Sequence, residues 1–71
     1  MDLTQYRVRI LIYPYAEYRF GHSVPIIDEG FFYRIDNTHI IDKFKIKDVV
    51  IEETKVKVTM TDETVILEVE S

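Results

Sequence analysis

Arg7, Arg9, Tyr13, Tyr15, Tyr18, Arg19 and Phe20 bring guanidinium groups and aromatic rings together in one short stretch of the chain. Guanidinium groups make planar, paired hydrogen bonds to carboxylates and phosphates, and aromatic rings stack on bases or fill pockets in a partner at small entropic cost. Two contact surfaces can be built from such a set. One is a protein-binding or self-association surface anchored by Tyr and Arg. The other is a platform for a nucleotide or a single-stranded nucleic acid. A plainer arrangement puts Arg7 and Arg9 in solvent on the outer face of a sheet, with the Tyr rings capping an open barrel end. Charge separates the two binding readings. Nine Lys and Arg face thirteen Asp and Glu, for a net charge of −4 and a pI near 5.0, so a phosphate backbone meets general repulsion. Another protein is therefore the expected partner, and Arg7, Arg9, Tyr13, Tyr15, Tyr18 and Arg19 are the expected contact residues.

The charge is unevenly spread. Residues 1–34 balance Arg7, Arg9, Arg19 and Arg34 against Asp2, Glu17, Asp28 and Glu29, so the whole net charge of −4 falls on residues 35–71. Of the nine aromatic residues only Phe44 lies in that second half. There the Lys residues interleave with the acids, which reads as local neutralisation with an acidic excess serving solubility. A recognition surface is expected in residues 6–34.

Acid–base or metal chemistry would have to be assembled from His22, His39, Asp28, Glu29 and Asp36, and none of these falls in a recognised ligand spacing. The chain has no Cys, hence neither thiolate nucleophile nor disulfide. Gly21 and Gly30 are its only glycines and form no phosphate-cradling loop. The expectation is a non-enzymatic chain with no catalytic residues, no cofactor and no metal site.

Seventy-one residues form one small β domain, 1–71, with a thin core. The clearest elements lie at the C-terminal end, where Val56, Val58, Met60 and then Val65, Leu67, Val69 alternate with polar residues. A turn at Asp62–Glu63 sets Val58 opposite Leu67, and a turn at Glu53–Thr54 sets Ile51 opposite Val56 and Val49 opposite Val58. Residues 48–70 thus read as a three-stranded meander. Upstream, Tyr6, Val8, Ile10 and Ile12 form the apolar side of a first strand, and Pro14 ends it. The expected strands are 5–13, 31–36, 40–46, 48–53, 55–61 and 64–70, with a bulge near Asp48 because the apolar phase changes there. Residues 14–30 hold both Pro and both Gly and read as a long connection with a helical turn at Ala16–Arg19, from which Ile27 folds back as a plug. The fold class is all-β: a five- or six-stranded antiparallel meander closing into a small SH3-like or OB-like barrel, with a β-sandwich completed by oligomerisation as the alternative.

The first strand carries neither Lys nor Pro before Pro14, so it is the edge expected to pair in a homo-oligomer, with Arg7, Leu11 and Tyr13 near the contact. No apolar run reaches membrane-spanning length and the N-terminus lacks a signal-peptide pattern, so a cytoplasmic location is expected, with no membrane partner. The Ile-, Lys-, Glu- and Tyr-rich composition resembles that of short accessory or inhibitor proteins of phages and other mobile elements.

Overall fold

The computed structural model describes residues 2–70. A 3-10 turn over Leu3–Gln5 is followed by seven strands: β1 (Arg7–Ile12), β2 (Glu17–Asp28), β3 (Phe32–Ile35), β4 (His39–Asp42), β5 (Ile46–Ile51), β6 (Lys55–Met60) and β7 (Thr64–Glu70), with a second 3-10 turn over Lys43–Lys45. All pairings are antiparallel, in the order β4-β3-β2-β1-β7-β6-β5. The all-β expectation holds, and no helix of the described residues is long and apolar enough to cross a membrane.

The ladder does not close into the expected barrel: among the described residues no pairing joins the terminal strands β4 and β5. The connection between them spends its backbone groups elsewhere. The Lys43 N–H donates to the Phe31 carbonyl at 3.1 Å, and the Lys45 carbonyl accepts from the Thr61 N–H at 2.9 Å. The sheet still curls over itself, because Tyr33, Ile35 and Ile41 from β3 and β4 share one buried cluster with Val56, Val58, Val65 and Leu67 from the other end.

β2 replaces the expected connection and helical turn. Val24 and Ile26 point inward with a two-residue period and Phe20 packs on the core from the far side of an irregularity between Arg19 and Val24, while Gly21, His22, Ser23 and Pro25 interrupt the apolar signal. Pro25 is tolerated where pairing passes from β1, which ends at Arg7↔Pro25, to β3, which starts at Ile26↔Ile35. Ile26 is buried and Ile27 is exposed, so the residue that fills the core is Ile26 and not Ile27. Asp28 then accepts from the Gly30 N–H at 2.8 Å. Gly30 takes φ +95°, a left-handed conformation that glycine adopts without a Cβ clash.

β1 also departs from the expected phase. Its register against both neighbours shifts between Val8 and Ile10: against β7 Arg9 is an extra residue that turns the chain by one position, while against β2 the extra residues form a bulge on β2 between Arg19 and Val24. Val8 and Leu11 are therefore both fully buried, while Ile10 and Ile12 are only half-buried. β1 lies between β2 and β7, so it is no edge, and Leu11 cannot be a contact residue.

The C-terminal meander forms, and its first hairpin has the expected register, with Ile51↔Val56 and Val49↔Val58 paired and a bulge between Ile46 and Asp48. The last hairpin is displaced by two residues from expectation. Val58 pairs with Val65 and Val56 with Leu67, and the Met60 N–H donates to Glu63 O at 2.8 Å, so the turn falls on Thr61–Asp62. A shift of two keeps every inward side chain inward.

Candidate functional site

The β1–β2 turn is closed by the Tyr13 N–H donating to Ala16 O at 2.7 Å. That turn lifts Tyr15 over Tyr13, with ring centroids 5.4 Å apart and nearly parallel planes. Tyr18 stands opposite Leu11 in the β1–β2 register, hence on the inward side, at the open end beyond the core. Its ring meets Tyr13 edge-on at 5.8 Å. His39, the first residue of β4, reaches the same place from the other end of the sheet: it lies 4.6 Å from Tyr18, 6.1 Å from Tyr13 and 6.2 Å from Phe20. Such offset and edge-on contacts are the geometries aromatic rings favour. The outcome is a joined aromatic surface in which Tyr15 is 73% exposed and Tyr18 40% exposed.

The carboxylate of Glu63, in the β6–β7 turn, borders this surface. Loss of solvent, then the charge of Glu63, holds the Tyr15 phenol above its ordinary value; for Tyr13 burial again comes first, followed by the Tyr15 and Glu63 charges. Both rings thus favour the neutral form. Whatever stability this confers is complete below the unfolded value near 10 and is lost as pH rises through the raised native values. In an alkaline titration followed by phenolate absorbance, part of the tyrosine signal should ionise late, and Glu63→Gln should bring that part back toward the ordinary range. A titration unchanged by Glu63→Gln would remove the carboxylate from the site.

The arginines do not join the tyrosines. Arg19 follows Tyr18 and so points to the opposite face, where it pairs with Glu17 at 2.6 Å. Arg9, at the β1 bulge, lies 3.6 Å from Glu70. Arg7 clamps β2, its Nε donating to Ser23 Oγ at 3.0 Å and its Nη2 to Ser23 O at 2.9 Å. The structure therefore splits the expected contact set: Tyr13, Tyr15 and Tyr18 converge, while Arg7, Arg9 and Arg19 lie on the outer face. No protein-family model matches the chain, and neither a curated protein nor a solved structure matches it. The site must be read from its own geometry.

Two features were missed from sequence. His39 enters the cluster through the β3–β4 pairing, which a reading of local pattern does not see. Phe31 and Phe44 form a second exposed aromatic pair, 5.9 Å apart. Beside it Lys43 bonds Asp28 at 2.7 Å and sits 4.7 Å above the Tyr33 ring. Its ammonium and the Gly30 N–H hold the Asp28 carboxyl below its ordinary value. Among the described residues no three His, Asp or Glu side chains stand together as metal ligands.

Proposed function

We propose that this chain is a small non-enzymatic protein-binding module whose contact surface is the Tyr13–Tyr15–Tyr18–His39 cluster. The observation that carries this reading is the exposure of Tyr15 and Tyr18 within a packed aromatic group. Tyrosines held in place by their neighbours contribute large contact area with little further loss of freedom, which is how interface anchors work. The Glu63 carboxylate beside the rings favours a partner segment offering Arg or Lys, whose cation can lie on a Tyr face. The nucleotide or nucleic-acid reading is weakened, since each of Arg9 and Arg19 already faces a carboxylate on the other side of the sheet. The accessory or inhibitor role suggested by composition, the cytoplasmic location and the absence of catalysis belong to this proposal.

The test is capture from native lysate, with and without nuclease, using wild type, Tyr15→Ala, Tyr18→Ala and an Arg7→Ala/Arg9→Ala double variant. The expected result is one protein that survives nuclease, falls by at least about tenfold with either Tyr variant, on the scale of an interface anchor, and changes little with the Arg pair. Signal that disappears with nuclease, or follows the Arg residues, would favour nucleic acid instead. Tyr15→Ala is not expected to unfold the chain, because that side chain is mostly in solvent.

A further inference from the structure

The two ends of the sheet are unequal. β4 has four residues, a length that by itself discourages pairing with another chain, whereas β5 has six. The bulge near Lys47 protects only the start of β5. Because the Glu52 N–H donates to Lys55 O, the antiparallel alternation turns the peptide groups of Glu52, Val50 and Asp48 toward β6 and those of Ile51 and Val49 outward. No turn or loop hydrogen bond reaches those outward groups among the described residues. Val50 and Ile51 are 43% and 44% exposed. Beside this edge lies a shallow depression of about 220 Å³ lined by Leu3, Tyr33, Lys43, Ile46 and Val49.

We propose that this edge pairs with the same edge of a second copy, antiparallel about a two-fold axis through Val50. The outward peptide groups allow registers centred on Val49, Val50 or Ile51. Centring on Val49 sets Val50 against Asp48 and Ile51 against Lys47. Centring on Ile51 sets Val50 against Glu52 and Val49 against Glu53. Only the Val50 register matches all three of Val49, Val50 and Ile51 with apolar residues: Val50 meets its own copy on the outer face, and Ile51 of the second copy lies beside Val49 at the depression. The same register brings Lys47 toward Glu53 of the second copy. Asp48 faces the Glu52 of that copy, an unfavourable pair, but in each copy Lys57 stands opposite Val50 and diagonal to that copy's own Asp48 and Glu52, which offsets it. This self-matching of apolar groups and flanking charges argues for a second copy as the occupant, and it replaces the β1 edge expected from sequence.

Two measurements test the proposal. In sedimentation velocity from micromolar to millimolar concentration, wild type should pass from 8.5 kDa toward twice that mass. Val50→Lys, which sets two ammonium groups together at the axis, should keep the native circular dichroism and raise the dissociation constant on the order of a hundredfold. Val50 meets its copy at a non-hydrogen-bonded position, where Cα atoms approach to about 4.5 Å, within disulfide reach. The chain has no Cys, so Val50→Cys should cross-link in oxidising buffer while Ile40→Cys, on the exposed β4 edge, should not. A single 8.5 kDa species at all concentrations would overturn the proposal and leave the edge to an extended segment of another protein. Cross-linking through Ile40→Cys with none through Val50→Cys would overturn it too.

Discussion

Ile26→Asp should leave the chain unfolded at room temperature, while Ile27→Asp, one residue on, should fold with a melting midpoint close to that of wild type. Ile26 is 2% exposed and pairs with Ile35, itself fully buried. The substitution forfeits about 1.5–3 kcal/mol of apolar burial and asks a carboxylate to desolvate with no cation beside it, which adds several kcal/mol more. A chain of this length has a total stability of about 4–10 kcal/mol, so the combined loss takes most or all of it. Ile27 faces the other way, with its Cα opposite Arg34, where a carboxylate is tolerated. Thermal denaturation followed by circular dichroism decides the matter. The reverse outcome, with Ile27→Asp unfolded and Ile26→Asp native, would mean that β2 is one residue out of phase.

The second large effect belongs to Leu3. It is 1% exposed and lies in the first 3-10 turn, whose start is held by Asp2 accepting from the Thr4 N–H at 3.0 Å and from its hydroxyl at 2.6 Å. The sheet is open between its terminal strands β4 and β5, and Leu3 lines the depression shared by Tyr33, Ile46 and Val49 on that side. Leu3→Ala should cost about 2–5 kcal/mol. At about 4–8 °C per kcal/mol for a domain of this size, the midpoint should fall by roughly 8–40 °C. The adjoining depression is already open to water, so the lower half of that range is expected. A midpoint within a few degrees of wild type would show that the N-terminal turn contributes no core.

What the sequence made legible follows from how far local pattern reaches. The β5–β6 register was readable because Val49, Ile51, Val56 and Val58 alternate on both sides of a short turn. The β6–β7 register was not, since a displacement of two residues leaves the same side chains inward and the pattern is blind to it. In β1, Ile10, Leu11 and Ile12 are consecutive, so apolarity alone could not tell which of them faces the core once Arg9 had added a residue. β2 was hidden by Gly21 and Pro25, which the long strand accommodates at its bulge and at its change of partner. For the site, residue type marked Tyr13, Tyr15 and Tyr18, but alternation along β2 separated Tyr18 from Arg19. His39 arrived only through pairing between distant strands.

The bulge in β2 decides where the chain tolerates added length. Val8 pairs with Val24 and Ile10 with Arg19, so Phe20, Gly21, His22 and Ser23 together stand against Arg9 alone. Neither the ladder that ends at Arg19 nor the one that resumes at Val24 counts the residues between them. A Cβ added at Gly21 would meet nothing within 4 Å. Elsewhere in the strands, gaining or losing one residue turns an entire hydrophobic face to water; between Gly21 and His22, ahead of the Ser23 that Arg7 holds, a gain leaves both ladders in register. A short peptide inserted there is expected to keep both halves of the sheet and to disturb the core least.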